Sequence, residues 1–357
     1  MSVGVETGGF MELFSISISD LAGVFILTSL SFALAMVWTP FLTDFLYKYK
    51  MGKRIRQTSY DNKKAPIFYS LHKHKQNTPT MGGLLIWITA GIITLIFNLD
   101  RSGTYLPLFA IVSTGVIGAV DDLMNIKGVG PHGGGLRFRH KLTIYLIIAL
   151  LGSLWFYYKL GWSAIHIPGG NYFGLPYNIE LGWWYIPLFI IVVIGTTFSA
   201  NQTDGLDGLL GGVMVTSFTA YGVIALAQGK PELAAFCGTV SGALLAFLWF
   251  NIYPARFMMG DTGSMALGMT LAVVAFLTNS VLVLPIIAFI LVIEAFSTII
   301  QIISKKIRNG KKVFLVAPIH HHFEALGWPE AKVTMRFWVI SAVMASIGLA
   351  IALIGKG

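Results

Sequence analysis

Long apolar runs fill this chain, and they leave room for few architectures. Ten segments read as spans: 21–43, 80–98, 104–120, 142–160, 183–200, 208–227, 233–250, 263–280, 281–303 and 334–354. About 20 apolar residues are enough for a helix to cross the hydrocarbon core of a bilayer. The runs are continuous and do not alternate, which excludes a transmembrane β-barrel. Only 11% of the residues are charged, against about 25% in soluble domains. The expected fold is an all-α polytopic integral membrane protein of about ten helices, a single domain over residues 1–357. Asn279 and Ser280 are the only polar punctuation between the eighth and ninth segments. Glu294 lies inside the ninth, where burial is costly without a partner, so a break or bend is expected there.

The basic residues choose a side. Of the 25 lysines and arginines, 21 fall in residues 44–79, 121–141, 304–336 or at Arg256. Arg101, Lys159, Lys230 and Lys356 are the four on the other side. The positive-inside rule puts the first set in the cytoplasm and both termini outside. An odd number of spans would scramble this split. The net charge of +9 then reflects loop bias and anionic ligands, with no nucleic-acid partner expected. The single cysteine, Cys237, sits in an apolar run and permits no disulfide within the chain. Residues 1–20 carry Glu6, Glu12 and Asp20 without a basic leader, so no cleavable signal is expected.

The acids cluster. Asp121 and Asp122 close the third segment in GAVDDL, and Asp204 and Asp207 follow the fifth in ANQTDGLDGL. Asp261 follows the seventh in ARFMMGDTGS, and His320, His321 and His322 precede the tenth. In the expected topology all of them meet at the cytoplasmic interface. Each also has a purely structural reading. Asp121 and Asp122 could be solvated acids at a helix end, although anions are disfavoured there. Asp207 and Asp261 could be N-caps. Three consecutive histidines cannot all reach one metal from a helix or strand, so structural zinc is not expected; imidazoles donating to phosphates fit better. Carboxylates for a hard divalent cation together with donors for anions form a phosphoryl-transfer set. No GxxxxGK[ST] motif is present.

The blocks NTPTMGGLL, GAVDDL, TDGLDGL, FLWFNIYPARFMMGDTGS, IIQII and APIHHHFEALGWPE occur in this order from about Thr78 to the C-terminus. In them the chain resembles the phospho-N-acetylmuramoyl-pentapeptide transferases, of the polyprenyl-phosphate N-acetylhexosamine-1-phosphate transferase superfamily. The triple histidine favours the muramoyl branch over the branch that uses UDP-N-acetylglucosamine. The resemblance implies a ten-helix Mg²⁺-dependent enzyme of the bacterial cytoplasmic (inner) membrane, usually a homodimer. Such an enzyme moves phospho-MurNAc-pentapeptide from UDP to undecaprenyl phosphate, giving lipid I and UMP. Asp121, Asp122, Asp261 and His320 would then be catalytic, with Asp121 deprotonating or orienting the lipid phosphate. Asp261 would bind the metal together with Asp121 and Asp122. The implied substrate-binding set contains Lys75, Thr80, Lys141, Asn251, Gln301, Ala317, His321 and His322. Asn201, Asp204, Gly205, Leu206 and Asp207 match the uridine-pocket segment. Met258 stands where a phenylalanine commonly stacks on uracil, and Phe198 and Gln202 also depart from the family pattern.

Two other classes compete. An ion-coupled transporter would carry charges near the midplane and inverted repeats, yet only Glu294 is a midspan candidate and no repeat is evident. A non-catalytic scaffold would not need the acid set.

Overall fold

A computed structural model describes residues 17–52, 69, 72–100, 103–130, 135–170, 174 and 176–354. Several sequence features lie outside the described residues. They are the acidic tail with Glu6 and Glu12, the loop basics Lys53, Arg54, Arg56, Lys63 and Lys64, and Arg101 and Lys356.

The first helix, α1 (Ile18–Lys48), starts where the Ser17 hydroxyl accepts from the Ser19 N–H at 3.3 Å. Then come α2 (Gly83–Phe97), α3 (Tyr105–Lys127) and α4 (Phe138–Leu154). A small antiparallel hairpin follows, β1 (Ala164–His166) pairing β2 (Asn178–Glu180) with Ile165 opposite Ile179. The chain continues through α5 (Tyr185–Thr203), α6 (Leu209–Ala227), α7 (Pro231–Asn251) and α8 (Asp261–Leu277). It ends with α9 (Phe289–Ile307), the short α10 (Ile319–Ala325) and α11 (Glu330–Ile354).

The expected apolar segments fall on helices, but 281–303 is divided between Val281–Ile287 and α9. Seven helices are long and apolar enough to cross a membrane, and Val281–Ile287 with α9 makes an eighth if that bent pair is one span. Helices α2 and α8 are also apolar but only 15 and 17 residues long. The protein is therefore a helical, polytopic membrane protein. The bend was expected at Glu294. It falls instead at Ala288, where the chain turns by 81°. Glu294 needs no break because it has a histidine partner, described below. Asn279 does turn the chain between α8 and the next segment, at φ 47°.

Helices α6, α7 and α8 form the centre, and α8 is buried along its whole length. Around them α1 packs along α7, α3 and α5 along α8, and α11 along α6. The outer helices turn apolar side chains outward, among them Phe25, Ile26 and Phe41 on α1 and Val339 and Val343 on α11, as lipid-facing helices do. Apolar burial gives little drive inside a bilayer, so interhelical hydrogen bonds contribute. The Ser31 hydroxyl donates to the Thr239 carbonyl at 2.7 Å, and the Trp38 indole N–H to Thr89 at 2.8 Å. Buried threonines such as Thr39 and Thr270 return their hydroxyls to the carbonyl four residues back, which satisfies those donors within their own helices.

Candidate active site

Helix α3 does not stop at its acids. It runs on to Lys127, so Asp121 and Asp122 sit within its last two turns, each only 1% exposed. They are not solvated helix-end charges. Both oxygens of Asp122 accept backbone N–H groups at the start of α8, from Asp261 at 3.2 Å and Thr262 at 3.0 Å. A carboxylate at a helix N-terminus satisfies open donors and complements the dipole. Asp261 is thus not the cap of α8. Gly260 holds that place, with φ 77° and with the Asp122 carboxylate and the Thr80 hydroxyl so close that a Cβ would collide with both. Only glycine fits such a backbone without strain.

Held this way, Asp261 turns its carboxylate to Lys141 of α4 and to Asn201 of α5, whose side-chain amide donates to it at 2.7 Å. Lys141 also reaches Asp121 at 2.5 Å, and the other Asp121 oxygen accepts the Leu136 N–H. Asn201 further contacts the Ser264 hydroxyl at 3.1 Å. Four helix ends thus gather three carboxylates around one ammonium, Lys141, which pairs with two of them, Asp121 and Asp261, a donor set rich in hard oxygen and short of positive charge. That set fits a hard divalent cation.

A second cluster lies on the segment between α5 and α6. Lys75, in a single 3-10 turn (Lys73–Lys75), pairs with Asp207 at 2.7 Å and with Glu330 at the start of α11. Burial works against the Lys75 charge, but Glu330 and Asp207 outweigh it and raise its pKa. Asp207 does not cap α6; Gly208 precedes that helix at φ 75°. Asp207 instead accepts the Ala255 N–H at 3.0 Å and gives its own N–H to Glu330 at 2.6 Å. Asn251 spends its side chain on backbone, accepting from Gly208 at 2.9 Å and donating to the Phe257 carbonyl at 2.8 Å. It braces this loop.

The histidines part company. On α10, His320 turns Nδ1 to Glu294 at 2.8 Å, and His321 turns Nδ1 to Glu324 at 2.7 Å. His72 reaches the same Glu324 oxygen at 3.4 Å. His322 points elsewhere and accepts the Leu315 N–H at 3.2 Å. Burial pushes the His320 and His321 imidazoles down to about 3, so both are neutral at physiological pH. Burial opposes the Glu324 charge, but its histidine partners hold it well below the usual carboxylate range. His72, His321 and Glu324 hold ligand atoms within 4.8 Å of one another. A metal there would take only one of the three consecutive imidazoles.

The structure brings Asp121, Asp122, Asp261, Lys141, Asn201 and Thr80 to one place, and Lys75, Asp207 and Asn251 to a second. His320 adjoins Gly205 of the loop between them. Asp204 is half-buried at the end of α5, and Leu206 is packed in the core. Met258 is fixed through its backbone, accepting from Gly82 and donating to Pro79. Ala317 leads into α10 and is half-buried. Gln301 grips the segment before α10: its carbonyl accepts from Val313 and Phe314, each at 3.0 Å, and its amide donates to Phe314. Sequence reasoning missed His72, Glu324 and Glu330 as partners. Both glutamates stand in APIHHHFEALGWPE, a motif already singled out for its histidines.

Two family models match the chain: glycosyl transferase family 4 over residues 104–279, and phospho-N-acetylmuramoyl-pentapeptide-transferase signature 1 over residues 75–86. The second contains Lys75 and Thr80. A phospho-N-acetylmuramoyl-pentapeptide-transferase of Chloroflexus aurantiacus is 38% identical over 95% of this chain and 92% of its own length. The chain belongs to the phospho-N-acetylmuramoyl-pentapeptide-transferase family. Within that family, a member from Geobacillus thermodenitrificans is 40% identical over 91% of this chain and 97% of its own. Another, from a Geobacillus species, is 41% identical over 90% and 95%.

Proposed function

We propose that this chain transfers phospho-MurNAc-pentapeptide from UDP-MurNAc-pentapeptide to undecaprenyl phosphate, giving lipid I and UMP. The observation that carries the reading is the convergence of Asp121, Asp261, Lys141 and Asn201 at one partly buried locus, in a chain about 40% identical to transferases of this name. An oxygen of the lipid phosphate attacks the phosphorus that bears the sugar. The bond from that phosphorus to the UMP oxygen breaks, and UMP leaves with the electron pair.

Asp121 takes the proton of the lipid phosphate or orients it. Lys141 and Lys75 offer N–H donors to the phosphates of the donor, and Asn201 keeps Asp261 aimed at the centre. Asp122 acts by placing the start of α8. Asp261 and Asp121 are the residues that would hold Mg²⁺, which when bound neutralises charge developing on the phosphate oxygens. His321, with the segment 204–208, lines the path to the donor, whereas the His322 ring is spent on the Leu315 N–H. We place the site on the cytoplasmic face of the bacterial inner membrane, with ten spans in one domain, both termini outside, and a homodimer as the working unit. A soluble polyanion and a membrane-bound phosphate can meet only at an interface.

The test is UMP release by purified protein with undecaprenyl phosphate and Mg²⁺, comparing UDP-MurNAc-pentapeptide with UDP-N-acetylglucosamine. Release with the muramoyl donor alone supports the reading. Release with the other donor alone moves the chain to the sister branch. Release with neither, from folded protein, refutes both.

A further inference from the structure

Lys141 shares its face of α4 with a tyrosine. Lys141, Tyr145, Ala149 and Ser153 recur every fourth residue and face the bundle, while Leu142, Leu146, Leu150 and Leu151 face outward. Tyr145 is therefore one turn on from Lys141 on a single inward stripe. Helical side chains lean back toward the N-terminus of their helix, which carries the Tyr145 ring toward the turn that holds Lys141. Lys141 in turn pairs with Asp121 of α3 and Asp261 of α8. The ring is packed in the core, and the residue is only 4% exposed.

A buried hydroxyl ordinarily finds a hydrogen-bond partner. Ser153, two turns further along the stripe, donates to the Leu150 carbonyl at 2.8 Å. The Tyr145 hydroxyl has no such partner among the described residues, yet it is not sealed in; the tyrosine hydroxyl that is both enclosed and unpartnered is that of Tyr185. Of the nearby charges Asp261 acts on the Tyr145 hydroxyl most strongly, ahead of Lys141 and Asp121. The phenol thus stands beside the acids within reach of their field, but farther off than a hydrogen bond. The centre is open there, with 19% of the Lys141 side chain and 15% of the Asp261 side chain accessible.

We infer that Tyr145 is a further substrate-binding residue of the transfer reaction: its hydroxyl donates a hydrogen bond to a phosphate oxygen seated at the Asp261 centre, beside the Lys141 ammonium. This rests on the reaction proposed above. A phenol keeps its proton at neutral pH and offers one donor. It adds that donor without adding a charge. A second ammonium at this place would be drawn onto the carboxylates, as Lys141 is. A neutral hydroxyl carried on a packed ring stays off them and is already aimed when phosphate arrives, so little reorganisation is needed.

The test compares Tyr145→Phe with Tyr185→Phe in full-length protein in mixed micelles. Each variant loses one phenol oxygen and keeps the ring, but Tyr185 lies at the other end of α5, about 24 Å along the helix from Asn201. Tyr145→Phe should unfold at the wild-type midpoint, because no hydrogen bond within the protein is lost. Its UMP release should fall about tenfold to a hundredfold, the range of one hydrogen bond to a charged group. Tyr185→Phe should release UMP at the wild-type rate. A raised KM for UDP-MurNAc-pentapeptide in Tyr145→Phe assigns the bond to the donor's pyrophosphate, and a raised KM for undecaprenyl phosphate assigns it to the lipid phosphate. A lower kcat with neither KM moved assigns it to the phosphate in transfer. Unchanged kcat/KM for both substrates in Tyr145→Phe overturns the inference. So does an equal loss in Tyr185→Phe, or a lowered midpoint in Tyr145→Phe, which would show the hydroxyl bonded to protein. Failure of the transferase reading would appear separately, as wild-type protein that releases no UMP.

Discussion

Replacing Asp122 by asparagine separates a placing role from a metal-binding one. Both oxygens of Asp122 accept N–H groups of α8, at 3.2 and 3.0 Å. Asparagine keeps one acceptor and must turn an NH₂ toward the other donor. One hydrogen bond to a charged acceptor is lost, about 1.5–3 kcal/mol, and a buried N–H is left unsatisfied at about 1–3 kcal/mol. The two terms overlap, so the expected loss of stability is about 3 kcal/mol. Asp261→Asn differs: Lys141 keeps its pairing with Asp121 and the N–H groups of α8 keep theirs. It should cost clearly less stability while abolishing turnover. The assay is equilibrium unfolding in mixed micelles, run beside UMP release. An Asp122→Asn protein that unfolds at the wild-type midpoint would refute the capping argument and return Asp122 to the metal site.

Lys75→Met should strand Asp207 and Glu330 as buried charges and cost about 3–5 kcal/mol; Lys75→Met with Glu330→Gln should recover part of that loss in the same unfolding assay, and no recovery would break the triad. Folding binds fewer protons at His320 and His321, because their folded values lie near 3. Their contribution is therefore complete above the unfolded value of about 6.5 and is lost as pH falls from there toward 3, by up to about 1.4 kcal/mol per pH unit for each ring. A stability profile that stays flat between pH 7 and pH 5 would contradict this. Removing divalent cations with a chelator should stop UMP release, and adding Mg²⁺ back should restore it. Mg²⁺ should also raise the unfolding midpoint of the wild type but not of Asp261→Asn; an equal rise in both would exclude Asp261 as a ligand.

The apolar runs were legible because bilayer thickness forces a long apolar stretch; seven of the resulting helices, or eight with the bent pair, are long enough to cross. The place of the bend was not. Glu294 looked like the costly residue, yet its cost is met by a histidine 26 positions away, and a sequence does not announce that pairing. The acids were legible as a set because charge is rare in this chain. Their separate tasks were not, since Asp121 and Asp122 are neighbours that face different partners. Asn251 and Gln301 read as ligands for a substrate, but their side chains are spent on the chain's own backbone. Polar residues in an apolar chain attract functional readings, and only the direction of each donor separates a brace from a contact.

Charge balance links the two clusters to their ligands. Without substrate, each lysine is shared by two carboxylates: Lys141 by Asp121 and Asp261, Lys75 by Asp207 and Glu330. An ammonium so placed is already neutralised, so it cannot by itself attract a polyanion from solution. Bringing phosphates beside these lysines adds negative charge where carboxylates already exceed cations. That excess can be relieved only by another cation or by protonating an acid. Protonating Asp261 would weaken its hold on Lys141 and Asn201, and with it the geometry of the centre. In the proposed reaction a divalent cation held by Asp261 and Asp121 would relieve the excess without protonating either acid, which is the reason for assigning the acid set and the anionic substrates to one site.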